Sequence, residues 1–270
     1  MSWDSQVTLK SENELEKMRI AGRINAEALA AVHEIIAPGI TTADLNAVAE
    51  VVLKKYGVFS PFKNYGSPIP YPASTTVSVN DELVHGIPGK RKLKEGDIVS
   101  VDCGTVYEGY VGDSAFTAGV GEISQEAHKL LEVTEKALYI GILKMVLGNR
   151  IGDISYSVES YVELHGFFVT RIYTGHGVGK QMHEGPQLPN YGIPGRGPAL
   201  LEGMTIALEP MVLVGTPDTR VLQDGWTVVS KDGSNTAHFE HTVAISKNGP
   251  EILTLLSNGQ APGQIRGPII

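Results

Sequence analysis

The amino-acid sequence predicts an α/β (α+β) fold, a single domain of two similar halves. Helix-period and strand-like segments alternate in the order two helices, strands, two helices, strands, and no change of composition between them marks a linker. Hydrophobic residues make up 42% of the 270 and charged residues 19%. That supplies a sizeable core and lies far from the composition of disordered chains.

The elements follow in order. After a short N-terminal extension, residues 1–10, Ser11 and Glu14 form a capping box. It precedes Leu15, Met18, Ala21, Ile24, Ala28, Leu29, Val32 and Ile35, which recur at helical spacing until Pro38-Gly39. Thr41 with Asp44 opens a second helix that runs to Gly57, and glycines and prolines break residues 56–72 into an irregular loop. Strands are expected over residues 75–79, 98–103 and 110–120. Helices are expected over 124–147 and 153–165, and later strands over 205–208, 221–229 and 239–245. The Gly/Pro/Gln-rich tail from 257 is expected to be loose.

Composition excludes several function classes. A formal net charge of -8 with no dense Lys/Arg stripe would repel a phosphate backbone, so nucleic acid is not expected as a partner. The longest apolar candidate, residues 138–147, is interrupted by Lys144 and falls short of a bilayer span, so no membrane association is expected. The N-terminus lacks the basic start and apolar core of a signal peptide. With Cys103 as the sole cysteine no intrachain disulfide can form. The expectation is a cytoplasmic protein, and the absence of surplus apolar stretches points to a monomer.

Two acidic pairs carry chemistry. Asp102 and Asp113 lie in adjacent strand-like segments around Val106-Tyr107-Glu108-Gly109; a turn centred between Tyr107 and Glu108 would set them opposite each other on one face. Glu209 and Glu240 lie in apolar surroundings and are equidistant from Asp224-Gly225, a strong hairpin signal, although Pro210, Gly215, Pro217 and Gly233 interrupt any continuous ladder. Any one of these acids alone reads as a solvated side chain. Four carboxylates in apolar strands without matching Arg or Lys would be costly to bury unless they hold cations.

The histidines divide. His85 in Val84-His85-Gly86-Ile87-Pro88, and His176 and His183 in the glycine-rich stretch 175–186, occupy segments whose glycines exclude a regular helix and let backbone approach a ligand. His33, His128 and His165 sit on helical stretches and read as structural or solvated; His238 and His241 are open. The stretch 175–180 departs from both phosphate-binding glycine motifs. There is no H-E-x-x-H and no G-x-S-x-G. Cys103 should point away from Asp102, as a buried apolar residue.

Together these segments resemble, over nearly the whole chain, the type I methionine aminopeptidases of the pita-bread fold, in which an antiparallel sheet in two pseudo-symmetric halves is covered by helices. The resemblance implies metal ligands Asp102, Asp113, His176, Glu209 and Glu240, holding two divalent ions (Co, Mn, Fe or Zn), with Asp113 and Glu240 shared between them. It implies catalytic roles for His85, His183 and Glu209: Glu209 as proton shuttle, His183 as donor to the carbonyl oxygen, and His85 at the scissile amide or the amine. The substrate pocket would include Tyr71, Thr76, Met182 and Trp226 besides His85 and His183. Thr76 stands where a cysteine is common, Met182 where an aromatic is common and Pro68 where a tyrosine is common. The implied activity is removal of the initiator methionine from nascent polypeptides when the second residue is small, with transient contact with the ribosome. The alternatives are an Xaa-Pro aminopeptidase or prolidase, which normally carries an added N-terminal domain, and a non-catalytic module, which should lose ligands.

Overall fold

The computed structural model describes residues 7–263. In chain order the elements are α1 (Glu12–Glu34), α2 (Thr42–Lys55), β1 (Thr75–Val79), β2 (Glu82–Val84), β3 (Ile98–Tyr107), β4 (Tyr110–Gly119), α3 (Gln125–Ile142), α4 (Ile151–Leu164), β5 (Phe168–Val169), β6 (Thr174–Gly177), β7 (Glu184–Pro189), β8 (Thr205–Leu208), β9 (Met211–Leu213), β10 (Thr219–Val221), β11 (Val228–Ser230), β12 (Thr236–His238), β13 (Glu240–Ser246) and β14 (Gly249–Ile252).

The caps act as their residues dictate. The Ser11 backbone N–H and hydroxyl both donate to Glu14 Oε2 at 2.8 Å, and the Thr41 backbone N–H donates to Asp44 Oδ2 at 2.9 Å. Leu15, Met18, Ala21, Ile24, Ala28, Leu29 and Val32 form the buried stripe of α1. Helix α3 ends at Ile142 rather than near 147, and the chain continues as turns to Gly148, whose φ of 94° lies outside helical space.

The main sheet runs β1-β3-β4-β13-β8-β6-β7, with β14 also on β13. Small sheets β10-β11-β2 and β12-β9-β5 flank it. The halves join where β4 pairs with β13. Thr242 stitches this seam: its hydroxyl accepts from the Asp113 N–H at 3.0 Å and donates to the Asp113 carbonyl at 2.8 Å. Helices α1 and α2 pack on β1, β3 and β4, while α3 and α4 pack on the other half. One core spans both, with Ile24, Leu29, Val101 and Phe116 continuous with Leu138, Val158, Ile206 and Val243. Gly22 and Gly112 let α1 lie directly on β4, since a Cβ at Gly112 would stand 2.6 Å from the Gly22 nitrogen. No helix of the described residues is long and apolar enough to cross a membrane.

The β3–β4 register differs from expectation. The turn is Glu108-Gly109, both at positive φ (47° and 80°), the mirror-image two-residue turn that matches strand twist. Moving the turn by one residue shifts the register by two, so Asp102 opposes Ala115 and Asp113 opposes Gly104. Side chains repeat every two residues, so the two aspartates still share a face, as diagonal neighbours.

From β8 to β13 the chain is an antiparallel arm folded about Asp224-Gly225. The partners in β8/β13, β9/β12 and β10/β11 are all equidistant from that turn. The arm is divided among three sheets, and the expected strand 221–229 becomes two short strands on either side of the turn. Of the C-terminal segment, the Leu256 N–H donates to the Gln260 carbonyl at 2.9 Å, closing a turn; residues 264–270, like 1–6, lie outside the described residues.

Candidate metal centre and active site

One line of register crosses the seam: Thr76 pairs with Asp102, Asp102 with Ala115, and Ala115 with Glu240. Cross-strand partners point to the same face. Asp102 and Glu240 therefore stand on one face, their α-carbons about 10 Å apart at ordinary strand spacing, with only the Ala115 methyl between them. Asp113, two residues along β4 from Ala115, shares that face. From the second half His176 pairs with Ala207 of β8, and Glu209 follows the last residue of that strand. All five line one cavity of about 210 Å³.

The donor set suits a cation. Asp102 Oδ1, Asp113 Oδ1 and Glu240 Oε1 are buried without a hydrogen-bond partner among the described residues, and there no lysine or arginine pairs with any of the four acids. His176 Nδ1 lies 2.9 Å from the Gly177 carbonyl, which can only accept, so Nδ1 carries the proton and Nε2 the lone pair. That lone pair lies 3.6 Å from Glu209 Oε1. Two electron-rich atoms facing each other at this distance call for a positive charge between them. Donor atoms of Asp113, His176 and Glu240 lie within 4.8 Å of one another, as do those of Glu209, His238 and Glu240.

Electrostatics say the same. Burial raises the Asp102, Asp113, Glu209 and Glu240 carboxyls, and acid neighbours add repulsion at Asp102, Glu209 and Glu240. Burial lowers His176 to about 4 and His85 to about 4. His183 falls to about 3 through burial and then through its histidine neighbours. These imidazoles are neutral at pH 7.

A second cavity, about 100 Å³, opens beside the first and shares His85, Asp102, Met182 and His183 with it. Its remaining walls are Phe62, Tyr65, Tyr71, Thr76 and Trp226. Tyr71 packs edge-on against Trp226 at 5.2 Å, and its hydroxyl donates to the Gly86 carbonyl at 2.8 Å. The Trp226 indole N–H donates to the Ile69 carbonyl at 3.0 Å. His85 follows β2 at φ 62°, which swings its ring toward both cavities.

Every residue singled out for the site thus lines one cavity or both. Some particulars differ from the sequence reading and others complete it. His176 is a strand residue, and only His183 lies in the connection before β7. Gly175 and Gly177 serve neighbouring backbone rather than a ligand: a Cβ would stand 2.5 Å from the Ala207 oxygen or 2.1 Å from the Gly185 oxygen. Tyr65, not position 68, supplies a tyrosine to the apolar pocket. His238, left open by sequence, places Nε2 3.5 Å from Glu209 and 3.7 Å from Glu240; the visible signal was its position two residues before Glu240. His241 turns away, its Nδ1 2.8 Å from Thr254 Oγ1. Cys103 is buried on the core face, and burial pushes its thiol up.

The model of metallopeptidase family M24 matches residues 16–247. An acid-lined cavity on a curled antiparallel sheet and that match together make the chain a member of metallopeptidase family M24. The chain is 53% identical over 250 residues to the methionine aminopeptidase of Clostridium acetobutylicum, covering 92% of this chain and 99% of that one. It is 49% identical over 248 residues to methionine aminopeptidase 1 of Bacillus subtilis, again covering 92% and 99%. The crystal structure of the Thermotoga maritima methionine aminopeptidase superposes with TM-score 0.89 at 48% identity, covering 92% of this chain and 99% of that one. Within the family the chain belongs to the methionine aminopeptidases, and so to the hydrolases of pita-bread fold. The prolidase from Pyrococcus furiosus shares the fold alone, with TM-score 0.75 at 24% identity, and this chain spans 66% of it.

Proposed function

We propose that the protein removes N-terminal methionine from nascent polypeptides whose second residue is small, using two divalent cations held by Asp102, Asp113, His176, Glu209 and Glu240. The observation that carries this reading is the convergence of those five side chains, with buried oxygens of Asp102, Asp113 and Glu240 lacking partners among the described residues, beside an aromatic pocket. Oxygen-rich ligation with one imidazole suits Mn, Fe, Co or Zn. Bound there, the cations supply Lewis-acid polarisation of the scissile carbonyl and a hydroxide at neutral pH.

The chain's own residues do the rest. Glu209, at the edge of the cluster, takes the proton of the attacking water and delivers it to the leaving amine. Neutral His183 donates a hydrogen bond to the carbonyl oxygen as it gains charge, and His85 holds the scissile amide or the amine. Tyr71 and Trp226 enclose the methionine side chain, whose thioether sits well against aromatic edges, with Thr76 and Met182 completing the walls. The protein works as a cytoplasmic monomer on chains leaving the ribosome.

The test is release of methionine from Met-Ala-Ser by metal-stripped protein given Mn, Fe(II), Co or Zn singly, with Leu-Ala-Ser and Met-Pro-Arg as controls. Metal-dependent release from Met-Ala-Ser with Leu-Ala-Ser left intact is expected. Cleavage confined to Xaa-Pro bonds would make it a proline peptidase, and no cleavage with metal bound would make it a binding module.

A further inference from the structure

Tyr65 belongs to the irregular loop between α2 and β1, and that loop is tied down around it. Its N–H donates to the Phe62 carbonyl at 2.9 Å, and its carbonyl accepts from the Tyr71 N–H at 2.8 Å. The Tyr71 hydroxyl and the Trp226 indole then fix the loop to the segment after β2 that bears His85 and to the residue following the Asp224-Gly225 turn. From this frame the Tyr65 phenol reaches His183: Oη lies 2.6 Å from Nδ1, and the rings meet edge to face at 5.2 Å. Burial raises the phenol, which therefore keeps its proton and can donate.

Only one sense of that hydrogen bond suits a carbonyl donor. If Nδ1–H donated to the phenol, Nε2 would present a lone pair and repel the carbonyl oxygen. If the phenol donates, Nδ1 accepts and the single ring proton of the neutral imidazole sits on Nε2.

We propose that Tyr65 is a positioning residue for His183: by donating to Nδ1 it fixes the Nε2–H tautomer and aims that N–H at the scissile carbonyl. This rests on the reading of His183 as the carbonyl donor. The consequence is a coupling of recognition to chemistry, because one loop supplies a wall of the apolar pocket and orients the group that meets the developing oxyanion.

The experiment is Tyr65→Phe, which removes one oxygen from a partly exposed ring. Ring-nitrogen NMR of the metal-free protein, with the His183 signals assigned by their loss in His183→Ala, reads the tautomer directly. The wild type is expected as Nε2–H alone and Tyr65→Phe as a mixture. With the preferred metal, kcat on Met-Ala-Ser should fall about tenfold, the size of one lost hydrogen bond, with KM within about twofold. In the His183→Ala background Tyr65→Phe should add nothing, as expected of groups acting as a unit. An unchanged tautomer, a loss confined to KM, or an equal loss without His183 would each overturn the proposal. Full activity of His183→Ala would instead remove the role given to His183, and the tautomer spectrum would still decide whether Tyr65 sets that ring.

Discussion

Replacing Lys10 by methionine strips a buried carboxylate of its partner next to His183. Lys10 Nζ lies 2.6 Å from Glu184 Oε2, with side-chain exposures of 4% and 7%. The Thr8 hydroxyl donates to the same oxygen, and the Lys10 N–H donates to the Gly203 carbonyl at 2.7 Å. The two ions respond oppositely. Burial lowers the Lys10 ammonium despite Glu184, whereas at Glu184 burial, the largest single influence, is outweighed by the hydrogen bonds from Lys10, Thr8 and the Gln181 N–H together with the Lys10 charge, which hold it below the usual range. Such a pair is close to break-even as a unit, yet costly to halve. Without the ammonium, and with only the Thr8 hydroxyl and the Gln181 N–H donating to it, Glu184 can escape by taking up a proton. From an ordinary glutamate pKa near 4.3, at about 1.36 kcal/mol per unit, this costs about 3.7 kcal/mol at pH 7 and about 1 kcal/mol at pH 5, which caps the destabilisation at each pH. The wild-type carboxylate, with its lowered pKa, contributes stability above the unfolded value and loses it as pH falls through the folded one. That contribution is full at both pH 7 and pH 5; in Lys10→Met it is the cost of protonating Glu184 that shrinks as pH falls, so the gap between the proteins closes toward pH 5. Thermal unfolding should show Tm lowered by roughly 7–15 °C at pH 7 and by a few degrees at pH 5. A gap that does not change with pH, or one below about 1 kcal/mol at pH 7, would refute the reasoning.

Two further outcomes follow from the acid cluster. His238→Ala removes the imidazole beside Glu209 and Glu240 and should weaken Mn²⁺ binding roughly 10- to 100-fold in calorimetric titration; unchanged affinity would take His238 out of the site. The metal-free protein should lose stability as pH rises above about 6.5. Its raised carboxyls bind more protons folded than unfolded, so their contribution is full below the unfolded pKa near 4 and drains as pH climbs through the folded values. The lowered histidines add stability only up to their unfolded pKa of about 6.5 and then stay constant. Melting temperatures of stripped protein should therefore fall as pH rises above about 6.5 while those of Mn²⁺-loaded protein stay level, and a rise for stripped protein would contradict the account.

What the sequence disclosed is local chemistry and periodicity. Capping pairs and apolar spacing defined α1 and α2, and the alternation of Val101, Asp102 and Cys103 told core face from cavity face. The aspartate pair was legible even though its register was misplaced, because a shift of two residues preserves the face. Equidistance from Asp224-Gly225 was likewise a true register, hidden because the arm changes sheet. Strands of two to four residues such as β2, β5 and β9 have too few positions for a period to show. The purpose of Gly175 and Gly177 was not legible, since a close approach of backbones looks in sequence like an approach to a ligand. Nor were the roles of Lys10 and Tyr65, whose partners at Glu184 and His183 are distant in the chain and brought near only by the fold, while His238 offered only its place two residues before Glu240.

The central claim is that Asp102, Asp113, His176, Glu209 and Glu240 hold the cations that hydrolyse the bond after methionine. Anomalous diffraction from Mn²⁺-soaked crystals of protein active on Met-Ala-Ser tests it most directly. The account predicts two peaks among these five side chains, about 3.5–4 Å apart. Peaks elsewhere, or an active protein with none in this cavity, would contradict it.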